Sequence, residues 1–223
     1  ALRLCLEHTE LFETQLRAAL RASAFGPMQI MFPMVGTIDD VRAGNAAVEK
    51  VKADLRSEGI PFDEKIKVGI MIEIPSIAMI ADMAALETDF ASVGTNDLTQ
   101  YLHAVDRMNP KIVSYYQSYS PAMYRILGKI FKEYNEAGKP ISVCGELAGE
   151  PLAAIVLFGL GLRKFSMNAS KIAHVKRILS LFTLEETENI AERVMNLQTQ
   201  SDVIAYLKAE VAKREKKLSE AAE

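Results

Sequence analysis

Short runs of consecutive apolar residues alternate along this chain with longer segments in which apolar positions recur at helical spacing. Strands that are covered on both faces are apolar at consecutive positions, so the short runs predict buried strands of a parallel sheet. These strands are predicted at Gln29–Pro33, Lys67–Ile74, Phe90–Gly94, Ile141–Gly145 and Lys164–Met167. The amphipathic segments predict helices at about 9–23, 38–57, 77–86, 121–137, 151–159, 170–181, 184–196 and 200–218.

The alternation of strand and helix indicates an α/β fold, which is either a doubly wound sheet or a (β/α)8 barrel. A complete barrel usually takes about 250 residues and eight strands. The 223 residues contain five predicted strands, which suits an open sheet or part of a barrel.

Composition narrows the class of protein. Apolar residues make up 49% of the chain and charged residues 25%, which is typical of a soluble globular protein. The net charge of −3 argues against a nucleic-acid partner. The longest apolar stretch, Leu152–Leu162, is too short to span a membrane. Two cysteines cannot form a disulfide framework, so a reducing, cytoplasmic location is predicted.

The two ends of the sequence give an expectation about domain organisation. The chain lacks an initial Met and begins inside a helical pattern, so we expect a piece of a longer protein. A partial domain is predicted over residues 1–208, and a charged helix end or tail over residues 209–223.

Three residues that could do chemistry follow successive predicted strands at their C-terminal ends. Glu73 closes the second strand, Asp97 follows the third, and Cys144 ends the fourth. In parallel α/β folds the loops after the strands converge at this edge, which is where catalysis takes place.

Glu73 and Asp97 together suit a divalent cation. A carboxylate in an apolar strand is costly to bury unless it is paired or binds a metal. Taken alone, Glu73 could turn to solvent, and Asp97 could be a turn or helix-capping residue. Adjacent parallel strands lie about 5 Å apart, so the two carboxylates suit Mg²⁺, with Mn²⁺ as a second possibility. The three histidines are too scattered to add a ligand.

Asn96, Arg107 and Cys144 are further candidates, each with a structural alternative. Asn96 offers a donor and an acceptor beside the metal, and Arg107 could hold a phosphate or carboxylate, or else pair with Asp106 at the surface. A free cysteine is usually a small buried hydrophobe. Because an ordinary thiol is mostly protonated at neutral pH, Cys144 could instead serve as a proton donor.

Longer strings around these residues resemble the signatures of phosphoenolpyruvate-utilising enzymes. The strings are Gly94–Tyr101 continuing to Ala104–Arg107, Cys144–Gly149, Ile30–Met34 and Gly69–Pro75. They are more similar to the phosphoenolpyruvate–protein phosphotransferases of the sugar phosphotransferase system (enzyme I) than to pyruvate phosphate dikinase or phosphoenolpyruvate synthase. The resemblance extends from Arg3 to about Leu207.

The resemblance implies a role for each candidate. Glu73 and Asp97 match the Mg²⁺ ligands of the family. Asn96, with the Asp97 backbone, and Arg107 match contacts to phosphoenolpyruvate. Cys144 matches the acid that protonates the enolate to give pyruvate.

The resemblance also implies an assembly. The family domain is a (β/α)8 barrel that forms a homodimer, and this chain would be its C-terminal five βα units. A histidine on a separate domain would accept the phosphate and pass it to a small phosphocarrier protein. The apolar segment Leu152–Leu162 and the ten methionines are candidates for a subunit contact.

Other functions stay open at this point. Three upstream strands of the family, with further substrate arginines, have no counterpart here, so we expect the chain alone to bind phosphoenolpyruvate weakly and to complete no transfer. A Mg²⁺-dependent lyase or aldolase acting on a pyruvate enolate would use the same two carboxylates. A dimerisation and substrate-docking fragment without activity is a further alternative.

Overall fold

Four strands form one parallel sheet in the computed structural model, which describes residues 1–221. Each strand is hydrogen-bonded to the next one in the chain, in the order β1 (Gln29–Phe32), β2 (Lys67–Ile72), β3 (Phe90–Gly94) and β4 (Ile141–Cys144). The prediction of an α/β fold with a parallel sheet is therefore confirmed.

Eleven helices in the described part of the chain connect and cover these strands. They are α1 (Leu2–Glu7), α2 (Thr9–Ser23), α3 (Ile38–Ser57), α4 (Pro75–Met79), α5 (Ala81–Glu87), α6 (Thr95–Leu102), α7 (Pro121–Glu136), α8 (Pro151–Gly159), α9 (Ala169–Leu179), α10 (Leu184–Met195) and α11 (Gln200–Ala221). Short 3-10 turns occur at Val113–Tyr115 and Glu146–Gly149.

The predicted fifth strand, Lys164–Met167, is wrong as a strand and is reduced to a single parallel bridge. Phe165 pairs with Val143 of β4, and two backbone hydrogen bonds flank this pair. The segment cannot continue as a strand because Asn168 already caps α9, accepting a hydrogen bond from the Ser170 amide.

One helix prediction and the turn considered for Asp97 also need correction. The helix expected at 77–86 begins earlier, at Pro75, a residue that favours the first turn of a helix, and it is interrupted at Ile80. The Thr95–Asp97 segment is not a bare turn, because it forms the first turn of α6. α11 runs from Gln200 to Ala221, in agreement with the helix predicted at about 200–218, and residues 222–223 lie outside the described part. The division predicted at residue 208 stays a prediction.

The core lies between the sheet and the helices that follow each strand. Ile70, Ile72 and Val93 of the central strands are fully buried, as consecutive apolar positions predict. α8 is apolar all round and is buried inside the chain, against α10 and α9. Its residues from Ala153 to Leu157 are inaccessible to solvent. The idea that this segment supplies a subunit contact is therefore wrong.

No helix among residues 1–221 combines the length and the apolar character needed to cross a membrane.

Candidate functional site

The C-terminal ends of β2, β3 and β4 are in register, and this register builds the site. Ile72 pairs with Val93, and Gly94 pairs with Cys144. Glu73, which follows Ile72, is therefore level with Gly94 and Cys144 at one edge of the sheet. Asp97 lies three residues beyond Gly94, in the first turn of α6.

Glu73 is held at the strand end by the backbone of the neighbouring loop. It is only 7% exposed, and its Oε1 accepts a 2.7 Å hydrogen bond from the Met34 amide. Met34 has a φ of 57°, an uncommon backbone conformation for a residue other than glycine, which turns its N–H toward the carboxylate. A Cβ on Gly94 would lie 2.6 Å from Glu73 Oε2, so glycine at position 94 makes room for the carboxylate.

The electrostatics around Glu73 favour a cation. Burial raises the pKa of the Glu73 carboxyl, the Met34 hydrogen bond opposes this rise, and the charge of Asp97 adds to it. Asp97 is thus near enough to repel Glu73 when both are ionised. A cation between the two would remove that repulsion.

Arg107 turns toward Asp97 and not toward Asp106. Its Nη2 lies 3.5 Å from Asp97 Oδ1, and its backbone N–H donates to Gln100 Oε1 at 3.1 Å. Asp106 instead accepts from the Met108 amide, so the surface pair considered from the sequence does not form. Arg107 Nη1 is buried and has no hydrogen-bond partner among residues 1–221. An anion is the partner that a buried guanidinium nitrogen lacks.

Asn96 is fixed from two sides. Its side-chain Oδ1 accepts from the Glu146 amide at 3.0 Å, across from the loop after β4. Its backbone carbonyl accepts from the Tyr116 hydroxyl at 3.1 Å. With Oδ1 committed to Glu146, the NH₂ end of the amide is the part of the side chain left for a ligand.

Cys144 is half-buried at the end of β4. Its Sγ lies 3.5 Å from both Met71 Sδ and the Val93 carbonyl oxygen. The buried Thr95 hydroxyl donates to the Cys144 carbonyl at 3.0 Å, which ties β4 to the first turn of α6. Gly145 has a φ of 102°, and a Cβ there would lie 2.5 Å from Thr95 Oγ1. Glycine is therefore required for this turn.

The donor set fits a hard cation that has few protein ligands. No cluster of three or more His, Cys, Asp and Glu side chains that could hold a metal occurs within residues 1–221. The Glu73 and Asp97 carboxylates could supply two oxygen ligands to Mg²⁺. That ion commonly keeps several waters and is bound through one or two carboxylates and substrate oxygens. The residues present therefore fit Mg²⁺ and do not fit structural zinc.

A cavity of about 560 Å³ opens beside Asn96, on the β4 side of the site. Its lining includes Gly145, Ser166, Asn168 and Lys171. Lys171 also lies 3.5 Å from Glu150. The cavity provides room for a ligand next to the charged groups.

Several site residues were not identified from the sequence. Met34, Thr95 and Tyr116 act through backbone contacts, and such contacts leave no pattern in side-chain chemistry. Gly94 and Gly145 could have been found, because a glycine at the end of a buried strand often marks a close approach or a turn.

The sequence of this chain is similar to those of known proteins. A sequence model of the family described as PEP-utilising enzyme, PEP-binding domain, matches residues 1–183. Curated proteins named phosphoenolpyruvate-protein phosphotransferase are similar over nearly the whole chain. The protein from Priestia megaterium is 43% identical over 94% of this chain and 36% of its own length. The Bacillus subtilis protein is 43% identical over 93% of the chain and 36% of its length. The Staphylococcus carnosus protein is 44% identical over 92% of the chain and 36% of its length. The chain thus spans about a third of the length of these relatives.

Proposed function

We propose that this chain, which belongs to the family of PEP-utilising enzymes and matches the PEP-binding domain of that family, binds phosphoenolpyruvate (PEP). The phosphate of the bound molecule would be transferred to a protein histidine. Pyruvate would be the second product. The longer protein that such a transfer requires would act as a phosphoenolpyruvate-protein phosphotransferase, the activity that the relatives' names state.

One observation carries the proposal: three different chemical functions meet at one sheet edge. A carboxylate pair, Glu73 and Asp97, lies beside a guanidinium with an unpartnered buried nitrogen, Arg107. A thiol, Cys144, lies level with Glu73 on the strand beyond β3. Phosphoenolpyruvate needs these functions, because it carries a phosphate and a carboxylate and leaves an enolate that must be protonated.

The arrangement supports a separate role for each side chain in binding and proton transfer. Arg107 and the free amide end of Asn96 would orient the phosphate and carboxylate oxygens. Cys144 would donate its proton to the methylene carbon of the enolate, which prevents the reverse transfer. Met71 and the buried strand residues beneath the thiol would keep water away from that carbon.

Mg²⁺ would be held by Glu73 and Asp97, and when bound it would neutralise negative charge on the phosphate and the enol oxygen. Mn²⁺ has the same ligand preferences and could replace it.

We also propose that the sheet is an arc of a (β/α)8 barrel. The strands follow one another in sequential order, β1-β2-β3-β4, and Phe165 continues beyond β4 in the same direction. A doubly wound sheet reverses its strand order at a switch point, whereas a barrel does not. A structure of a chain with the full length of the relatives would test this, since a barrel requires further strands beyond β1.

Partners follow from the proposed transfer. The phosphate would go to a phosphohistidine domain of the same enzyme and then to a small phosphocarrier protein, and the enzyme would be a homodimer that serves sugar uptake in the cytoplasm. A lyase acting on a pyruvate enolate is less well supported, because it has no use for a phosphate clamp such as Arg107 provides.

Hydrogen–deuterium exchange at the pyruvate methyl group would test the site in the chain itself. In D₂O with Mg²⁺, the Cys144 thiolate would remove a methyl proton to leave the enolate, the thiol would exchange that proton for a deuteron from solvent, and the enolate would then take the deuteron. NMR would record the exchange. We expect Cys144→Ala to slow exchange by about a hundredfold or more, the usual contribution of a general acid or base. Cys5→Ala is the matched control, because Cys5 lies on α1 and packs against the core. Equal exchange by Cys144→Ala, or no Mg²⁺-dependent exchange by the unsubstituted chain, would contradict the proposal.

A further inference from the structure

Tyr116 lies on the long loop before α7, and its side chain contacts the backbone of the candidate site. Its hydroxyl donates a 3.1 Å hydrogen bond to the backbone carbonyl of Asn96, twenty residues earlier in the chain. The ring is half-buried, and its hydroxyl also lies within hydrogen-bonding reach of the Thr99 and Arg107 side chains and near the charge of Glu146. Tyr116 is therefore enclosed among the groups of the candidate site.

The carbonyl that accepts this bond belongs to a peptide unit with a second polar group. The Asn96 carbonyl and the Asp97 N–H form one planar amide, so fixing the carbonyl also fixes the direction of the N–H. Asn96 and Asp97 lie in the first turn of α6, where the N–H groups have no partner within the helix and can receive an anion.

The bond is not needed to satisfy the backbone. A carbonyl oxygen in a helix has two lone pairs, and the helix itself uses one of them. The Tyr116 hydroxyl occupies the second, so its effect is on orientation.

We propose that Tyr116 is a positioning residue, which orients the Asn96–Asp97 peptide so that the Asp97 N–H meets an oxygen of the bound phosphoenolpyruvate. This inference rests on the proposed function of the site. Asn96 is then held at both ends, with its carbonyl bonded to Tyr116 and its side-chain oxygen bonded to the Glu146 amide.

Tyr116→Phe removes only the hydroxyl and tests the proposal. Calorimetric titration of the full chain with phosphoenolpyruvate at saturating Mg²⁺ should show affinity lowered about three- to tenfold, the range that one hydrogen bond contributes. Affinity for Mn²⁺ alone, measured by electron paramagnetic resonance, should change less than twofold, because Glu73 and Asp97 are retained. A purely structural role would weaken both.

Tyr115→Phe is the matched control, since Tyr115 is the adjacent residue, is 65% exposed and carries the same hydroxyl. It should leave phosphoenolpyruvate affinity unchanged. A ¹H–¹⁵N NMR spectrum gives a readout without any ligand: the Asp97 amide peak should move in Tyr116→Phe and stay in Tyr115→Phe.

The outcomes separate the two hypotheses. If the Asp97 peak does not move, or if both tyrosine variants bind phosphoenolpyruvate alike, the positioning role of Tyr116 is overturned while the proposed function stands. A parallel fall in Mn²⁺ and phosphoenolpyruvate affinity also overturns it. If the unsubstituted chain does not bind phosphoenolpyruvate, the proposed function itself fails, and the role of Tyr116 fails with it.

Discussion

At the scale of single residues, the buried Glu73 carboxylate lowers the stability of the metal-free fold, although it would supply a ligand to the proposed metal site. Burial raises the pKa of its carboxyl and the charge of Asp97 adds to the rise, so the ionised form destabilises the metal-free fold. Below the pKa of the unfolded chain, Glu73 is protonated in both states and has no such effect. As pH rises through that pKa toward the raised pKa of the folded chain, stability is lost.

We therefore expect Glu73→Gln to raise the Tm of the metal-free chain at pH 7 and to leave it unchanged near pH 4. The amide oxygen can still accept from the Met34 N–H. A gain of 1 kcal/mol would raise Tm by about 2–4 °C in a domain of this size. Calorimetric scans at the two pH values measure the effect, and Mn²⁺ affinity should fall in the same variant. A lower Tm at pH 7 would show that the charge of Glu73 stabilises the fold.

Two buried tyrosines on α7 form a matched pair for a second prediction. Thr88 donates its only hydroxyl proton to the Ala84 carbonyl, so Tyr134, 3.1 Å away, must be the donor to Thr88 Oγ1. Burial raises the pKa of Tyr134 to about 12, which keeps the hydroxyl protonated. The Tyr124 hydroxyl is equally buried, but it has no hydrogen-bond partner in the described part of the chain.

Tyr134→Phe should lower the free energy of unfolding by about 1 kcal/mol, the usual net contribution of a hydrogen bond. Tyr124→Phe should leave it unchanged or raise it, because it removes a buried polar group without a partner. Urea denaturation of the two variants would measure the difference. Equal losses would mean that the Tyr124 hydroxyl also has a partner.

At the scale of elements, the close crossing of α8 and α10 depends on one glycine. A Cβ on Gly159 of α8 would lie 2.0 Å from the Thr187 carbonyl oxygen of α10, which is backbone and cannot turn aside. Gly159→Ala should therefore force the helices apart and lower the free energy of unfolding by at least about 1–3 kcal/mol. Chemical denaturation would measure it.

Gly128→Ala in α7 is the control for that substitution. The nearest atom to its Cβ would be Leu160 Cδ2 at 3.2 Å, the flexible end of a side chain. Alanine also favours a helix over glycine by about 1 kcal/mol. The change in stability should stay within about 1 kcal/mol of zero. If Gly128→Ala lowered the free energy of unfolding as much as Gly159→Ala does, the loss could not be attributed to the contact between Gly159 and the Thr187 backbone.

At the scale of the whole molecule, the outer edge of β1 is the exposed edge of the sheet. No strand pairs with that edge among residues 1–221, and the edge carries Met31, which is 37% exposed. Unpaired strand edges promote association between chains. We expect the chain to self-associate as concentration rises, and the homodimer of the full-length protein stays a prediction.

Met31→Lys should shift this equilibrium toward the monomer, because a lysine on an edge strand opposes pairing. Sedimentation velocity over a concentration series would measure the shift. Leu86→Lys is the control, since Leu86 is 80% exposed and lies on α5, not on a strand. A clean monomer at high concentration for the unsubstituted chain would contradict the expectation.

The pattern of apolar residues along the sequence was enough to predict much of the fold. β1 to β4 lie within a residue or two of their predicted limits, because a buried strand needs consecutive apolar positions whatever packs on it. The long amphipathic helices, such as α3 and α7, follow for the same reason. The candidates Glu73, Asn96, Asp97 and Cys144 also came from the sequence, because polar residues at the ends of apolar strands stand out. Arg107 lies beyond such an end and was proposed chiefly from the family resemblance.

Contacts between distant segments could be known only from the folded chain. Whether Lys164–Met167 pairs as a strand depended on how soon α9 begins, and whether Arg107 turns to Asp97 or Asp106 depended on the path of the loop. The Tyr116 side-chain hydroxyl donates to the Asn96 backbone carbonyl, and no local sequence pattern specifies this pairing. Periodicity reports which face of an element is buried, whereas the partner of a polar atom is set by the position of every element around it.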